Sequence, residues 1–106
     1  MYIPLERNLK KSYFKELLER AIELTQKEIE ATPSLSVYKS ILNQLNDIKQ
    51  SVVEEHIVFS EEEAQQRYSL GQIAIRYFDG YEEFEYADIL IDIAYGVPLY
   101  PNMLEQ

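Results

Sequence analysis

The sequence has no cysteine and no tryptophan, one histidine, three glycines and four prolines in 106 residues. Without cysteine there can be no disulfide framework, no thiolate nucleophile, no paired-cysteine redox centre and no cysteine-ligated zinc. The three glycines form neither the dinucleotide fingerprint GxGxxG nor a P-loop, so no phosphate-cradling loop is encoded. His56 has Val53 three residues before it, which removes the Glu-x-x-His pair of a bundle di-metal site. The serines have no histidine in a recognisable nucleophile arrangement. No apolar run approaches the roughly 20 residues of a membrane span, and no basic leader precedes an apolar segment. The expectation is a cytoplasmic, non-enzymatic chain with no cofactor, no metal site and no membrane partner.

Positive charge is scarce in one half. Nineteen acids against ten bases give a net charge of −9. Residues 1–50 carry seven acids and eight bases, whereas residues 51–106 carry twelve acids and only Arg67 and Arg76. From Asp79 to Asp92 there are six acids and no base. A field of that sign repels phosphate backbones and draws in basic surfaces, so the expected partner is a protein and not a nucleic acid.

The length fits a single domain with one core, expected over residues 1–106, with residues 1–11 as a loosely docked lead-in and 97–106 as an extended tail. Apolar residues recur at helical spacing four times. Tyr13, Leu17, Ala21, Leu24 and Glu28, widened by Leu18, Ile22 and Ile29, mark a first helix with Ser12 as its N-cap. Thr32-Pro33-Ser34 ends it, since proline cannot continue the hydrogen-bond ladder. Val37, Ile41, Leu45, Ile48 and Val52 mark a second helix, capped by Ser34 or Ser36. Residues 55–59 read as a short extended connection. Ser60-Glu61-Glu62-Glu63 after Phe59 is a capping box that starts a third helix. Ala64, Tyr68, Gly71, Ile75 and Phe78 form its stripe, Gly71 admits a neighbouring helix, and Asp79-Gly80 closes it. A fourth helix is expected over residues 81–95 with Phe84, Ala87, Ile91, Ala94 and Tyr95 inward, and Gly96 as the residue past its end. The expected fold is all-α, a compact bundle of about four helices, with Ile41 and Ile75 central in its core.

Two of these helices are apolar on both sides. In residues 81–95, Tyr86, Ile89 and Ile93 form a second ridge nearly opposite the first, with Tyr81, Glu85, Asp88 and Asp92 between the two. In the preceding helix Leu70, Ile73 and Tyr77 point away from the stripe through Ile75. Either both helices are central and buried on two sides, or one face is an apolar patch rimmed by acids, the composition of a protein-binding surface with a steering field. Five of the nine tyrosines fall between Tyr77 and Tyr100, and tyrosine is favoured in such contacts. The candidate contact residues are Asp79, Tyr81, Glu82, Glu85, Tyr86, Asp88, Ile89, Asp92 and Ile93.

The run Leu70-Gly71-Gln72-Ile73-Ala74-Ile75, then Phe78-Asp79 and a helix closing with Ala94-Tyr95, resembles the immunity proteins that neutralise an NAD(P)+ glycohydrolase effector of bacterial type VI secretion. The similarity continues backwards through Ile48, Gln44-Leu45, Ser40, Val37, Pro33 and Ala21-Ile22-Glu23-Leu24, and covers about residues 13–97. Residues 1–9, 57–63 and 79–81 depart from the family pattern. The resemblance implies a small helical protein that binds a cognate toxin domain and occludes its active site. It transfers no individual contact residue. The alternative is an acidic helical adaptor or regulator that binds a basic segment of a cellular protein. Oligomeric state stays open at this stage.

Overall fold

Proline and capping signals set the first boundaries. The computed structural model describes residues 2–78 and 85–105. Helix α1, Lys11–Ala31, stops before Thr32 and Pro33 as the sequence requires. Its start differs from expectation: Lys10, not Ser12, occupies the N-cap, with no side-chain cap. The chain terminus supplies the missing acceptor, because the Lys11 amide donates to the Leu104 carbonyl at 2.8 Å and Leu104 pairs in parallel with Lys10. One of the helix's orphan amides is thereby satisfied from 93 residues away in sequence. α1 buries Phe14, Leu17, Leu18, Ala21, Ile22 and Thr25. The buried face is thus centred slightly off the expected stripe, because Phe14 and Thr25 replace Tyr13 and Glu28.

Helix α2, Ser36–Ile48, buries Tyr38, Ile41, Leu45 and Ile48. Leu35, not a serine, is its N-cap. A π-helical turn, Lys49–Glu54, follows and keeps Val52 in the core. Helix α3, Glu61–Arg67, begins at the capping box: Ser60 Oγ accepts from the Glu63 amide at 3.1 Å and the Glu63 carboxylate accepts from the Ser60 amide at 2.9 Å.

The expected third helix is two helices. α3 ends with Tyr68 in an extended conformation, and α4, Leu70–Phe78, starts afresh. Gln44 of α2 fixes the break. Its Oε1 accepts from the Ser69 amide at 2.7 Å, while its Nε2 donates to Ser69 Oγ at 3.0 Å. Five α-helices are therefore present among the described residues, in place of about four. The fifth, Glu85–Gly96, carries the second half of the core. The expected positions of Asp79, Gly80, Tyr81, Glu82 and Phe84, and the Phe78 side chain, lie outside the described residues.

α1 packs against α2 and α5, and α4 packs against α5 and α2. Gly96 is helical and buried, with no left-handed backbone. Its glycine identity answers to space: a Cβ there would sit 2.7 Å from Leu5 Cδ2 and from the Phe14 ring. At Gly71 a Cβ would meet Ala94 at 3.8 Å, an ordinary contact, so close approach does not demand glycine at that position.

Both chain ends are docked, contrary to the expected loose lead-in and extended tail. Leu5 is fully buried within a 3-10 turn, and burying a leucine contributes about 1.5 to 3 kcal/mol, more than a loose segment retains. Val97, Tyr100 and Met103 are buried too, Tyr100 against Phe14 with ring centroids 5.2 Å apart. Lys11 and Glu105 form an ion pair across the two ends. Among the described residues no helix is long and apolar enough to cross a membrane.

Candidate protein-binding site

The ridge expected to meet a partner lies inside. Tyr86 is 4% exposed and Ile89 and Ile93 are fully buried, so these three residues are core and cannot contact a partner in the folded chain. Tyr86 shares a 2.6 Å hydrogen bond with the buried Thr25, and burial pushes its phenol pKa upward. The three acids beside the ridge have separate fates. Glu85 pairs with Arg20 of α1 at 2.8 Å and remains half exposed. Asp88 is exposed. Asp92 is turned toward the N-terminal segment, where its carboxylate accepts from the Leu5 amide at 2.9 Å and from the Tyr2 hydroxyl. Desolvation raises the Asp92 pKa, and the Leu5 amide opposes that shift. Asp79, Tyr81 and Glu82 fall outside the described residues.

The other face of the same two helices is the open one. Ile75, placed in the core by its spacing, is 61% exposed; Tyr95 is 50% and Ile91 39% exposed. The correction has a simple cause. Leu70, Ala74, Leu90 and Ile93 fill the α4–α5 interior, which leaves Ile75 and Ile91 to solvent. Together Ile75, Ile91, Ala94 and Tyr95 border a groove of about 500 Å³ between α3, α4 and α5, lined also by Gly71, Pro98 and Leu99. Glu61 stands on its edge. Exposed apolar clusters with aromatic residues are a recurring feature of protein contacts.

Tyr68 forms the inner wall of that groove and is held in place electrostatically. Its hydroxyl donates to Asp47 at 2.6 Å, and the Arg67 guanidinium binds both Asp47 oxygens at 2.9 and 3.1 Å. Burial, then the Asp47 hydrogen bond, pushes the Tyr68 phenol up to about 12. Arg67, foremost through its side-chain hydrogen bond, holds the Asp47 carboxyl below its ordinary value. The same guanidinium lies 5.2 Å from the Phe59 ring centroid, a cation–π contact that ties the connection before α3 to the wall. This cluster anchors α3 to α2 and gives the groove a rigid side.

The groove's walls are aliphatic, aromatic and amide apart from the Glu61 carboxylate on its edge, and among the described residues no three of His, Cys, Asp and Glu converge as metal ligands would. A second groove, of about 710 Å³, lies across Ile75 between the start of α2 and α4. Ile75 is therefore a ridge between two depressions. Sequence spacing missed Ile75, Ile91 and Tyr95 as surface residues. The available signal is the polar company they keep: Gln72 lies three residues before Ile75 and Arg76 directly after it, and Asp88 lies three residues before Ile91 and Asp92 directly after it.

No curated protein and no solved structure matches the chain. One family does, over residues 13–99, which takes in all but the first two residues of α1 and continues past the end of α5, leaving out most of the two docked ends. With most of its length inside that match, the chain belongs to the Tsi6 family, a family of type VI secretion immunity proteins.

Proposed function

We propose that this chain neutralises a cognate antibacterial toxin domain, an NAD(P)+ glycohydrolase, by covering its active site with the surface around Ile75. Three large exposed side chains, Ile75, Ile91 and Tyr95, around one groove carry this reading, in a family whose members are immunity proteins. Removal of that apolar surface from water supplies the non-directional part of the affinity. Glu85 and Asp88, with Asp79 and Glu82 from the same acidic run, supply long-range attraction to a basic toxin surface and raise the association rate. Inhibition by coverage requires no turnover, so protection tracks complex formation.

The test is co-expression of this chain with toxin domains sought among the products of its neighbouring genes, with cell survival and NAD+ level as readouts. Wild-type chain restores both. Ile75→Asp combined with Tyr95→Ala removes protection while the circular dichroism spectrum stays native, because neither side chain supports the core. Full protection by that double variant would overturn the assignment of this surface.

A further inference from the structure

The two grooves on either side of Ile75 differ in charge preference. The apolar groove has Glu61 on its edge and no base among its described lining residues. Across the ridge, the 710 Å³ groove is lined by no carboxylate among the described residues, in a chain with nineteen acids. It presents Ser40, Ser69, Gln72, Arg76 and Tyr77 instead. Arg76 is the only base from residue 68 to the end of the sequence, and it makes no ion pair with any described residue.

The hydroxyls in this groove are set to donate. Gln44 has its orientation fixed by the Ser69 amide, which donates to Oε1 at 2.7 Å. Its Nε2 therefore faces the two serines and donates to Ser69 Oγ at 3.0 Å and to Ser40 Oγ at 3.3 Å. A hydroxyl that already accepts keeps its own proton for another acceptor. Two hydroxyl protons, the Gln72 amide and a five-donor guanidinium thus line one depression, and a carboxylate is the protein group that accepts from such a set with greatest gain.

We propose that the α2–α4 groove receives a carboxylate-bearing segment of the toxin, paired with Arg76, while the apolar groove beyond Ile75 receives an apolar segment flanked by basic residues. This rests on the toxin-covering role assigned to the Ile75 ridge. Opposite charge preferences on the two sides of one ridge allow the partner a single orientation, since a reversed partner meets like charge on both sides.

The test uses the purified toxin domain that the co-expression experiment identifies, with association and dissociation rates measured at low and at physiological salt. The variants are Arg76→Glu, Arg76→Lys and Ile75→Asp, each first shown to unfold at the wild-type urea midpoint. The expected result is at least a tenfold loss of affinity for Arg76→Glu, mainly through faster dissociation, a smaller loss for Arg76→Lys, and loss of binding for Ile75→Asp. If Ile75→Asp abolishes binding while Arg76→Glu binds as wild type or more tightly, the carboxylate assignment is wrong and the covering role survives. If Ile75→Asp binds normally, the ridge is not the interface and both readings fail.

Discussion

Gly96→Ala and Gly71→Ala are expected to change stability in opposite directions, although both place one methyl group on a helix of the same bundle. At Gly96 the new carbon would lie 2.7 Å from Leu5 Cδ2 and 2.7 and 2.8 Å from two Phe14 ring carbons. Both neighbours are fully buried, so neither can swing into solvent, and the N-terminal segment or the Phe14 ring must shift. Overpacking of this kind costs about 1 to 3 kcal/mol. The helix-propensity gain of alanine over glycine, at most about 1 kcal/mol, offsets only part of it. At Gly71 the added carbon meets Ala94 at 3.8 Å, so the propensity gain stands nearly alone at about 0.5 to 1 kcal/mol. Equilibrium urea unfolding reads both. With an m-value of about 1 to 1.5 kcal/mol/M, Gly96→Ala lowers the midpoint by about 1 M and Gly71→Ala raises it by about half that. A Gly96→Ala midpoint at or above wild type would refute the packing of the N-terminal segment against α5.

Ile93→Ala should cost about 2 to 5 kcal/mol in urea unfolding, whereas Ile75→Ala should stay within about 0.5 kcal/mol; equal losses would mean that the two faces of α4 and α5 are wrongly assigned. Ser60→Ala removes the cap of α3 and should cost about 1 kcal/mol, read from the same curves. Asp92 has its folded pKa raised by burial, so the folded state favours the protonated form. The stabilisation that protonation brings is full below the unfolded value of about 4 and is lost as pH rises through the higher folded value. Asp92→Asn, which still accepts from the Leu5 amide, should therefore gain stability relative to wild type between acid and neutral pH. A relative loss over that interval would contradict the burial of the carboxylate.

Local signals were legible in the sequence and long-range ones were not. The Ser60–Glu63 box and the Thr32-Pro33 stop act within four residues and lie where spacing put them. The division between α3 and α4 is imposed by Gln44, 25 residues earlier, and the start of α1 by Leu104; no local pattern encodes either. The buried face of α5 is the reverse of the expected one because two apolar ridges compete on this helix, and the position of its acids decides between them. Counted at about 100° per residue, Leu90 and Val97 sit opposite Glu85, Asp88 and Asp92. Adding them to Tyr86, Ile89 and Ile93 gives one uncharged arc, and that arc is the buried one. The groove followed from the same inversion: Ile75, Ile91 and Tyr95 are exposed because Leu70, Ala74, Leu90 and Ile93 fill the interior.

Hydroxyl-radical footprinting of the chain alone and in complex with its toxin domain reads side-chain exposure at each of these positions. Ile75, Tyr77 and Tyr95 are exposed on the ridge and its two flanks, whereas Ile3, Val58 and Leu104 are exposed elsewhere on the chain. The covering role predicts that Ile75, Tyr77 and Tyr95 lose most of their reactivity in the complex while Ile3, Val58 and Leu104 keep theirs. Protection of Ile3, Val58 and Leu104 with Ile75 and Tyr95 still reactive would contradict it.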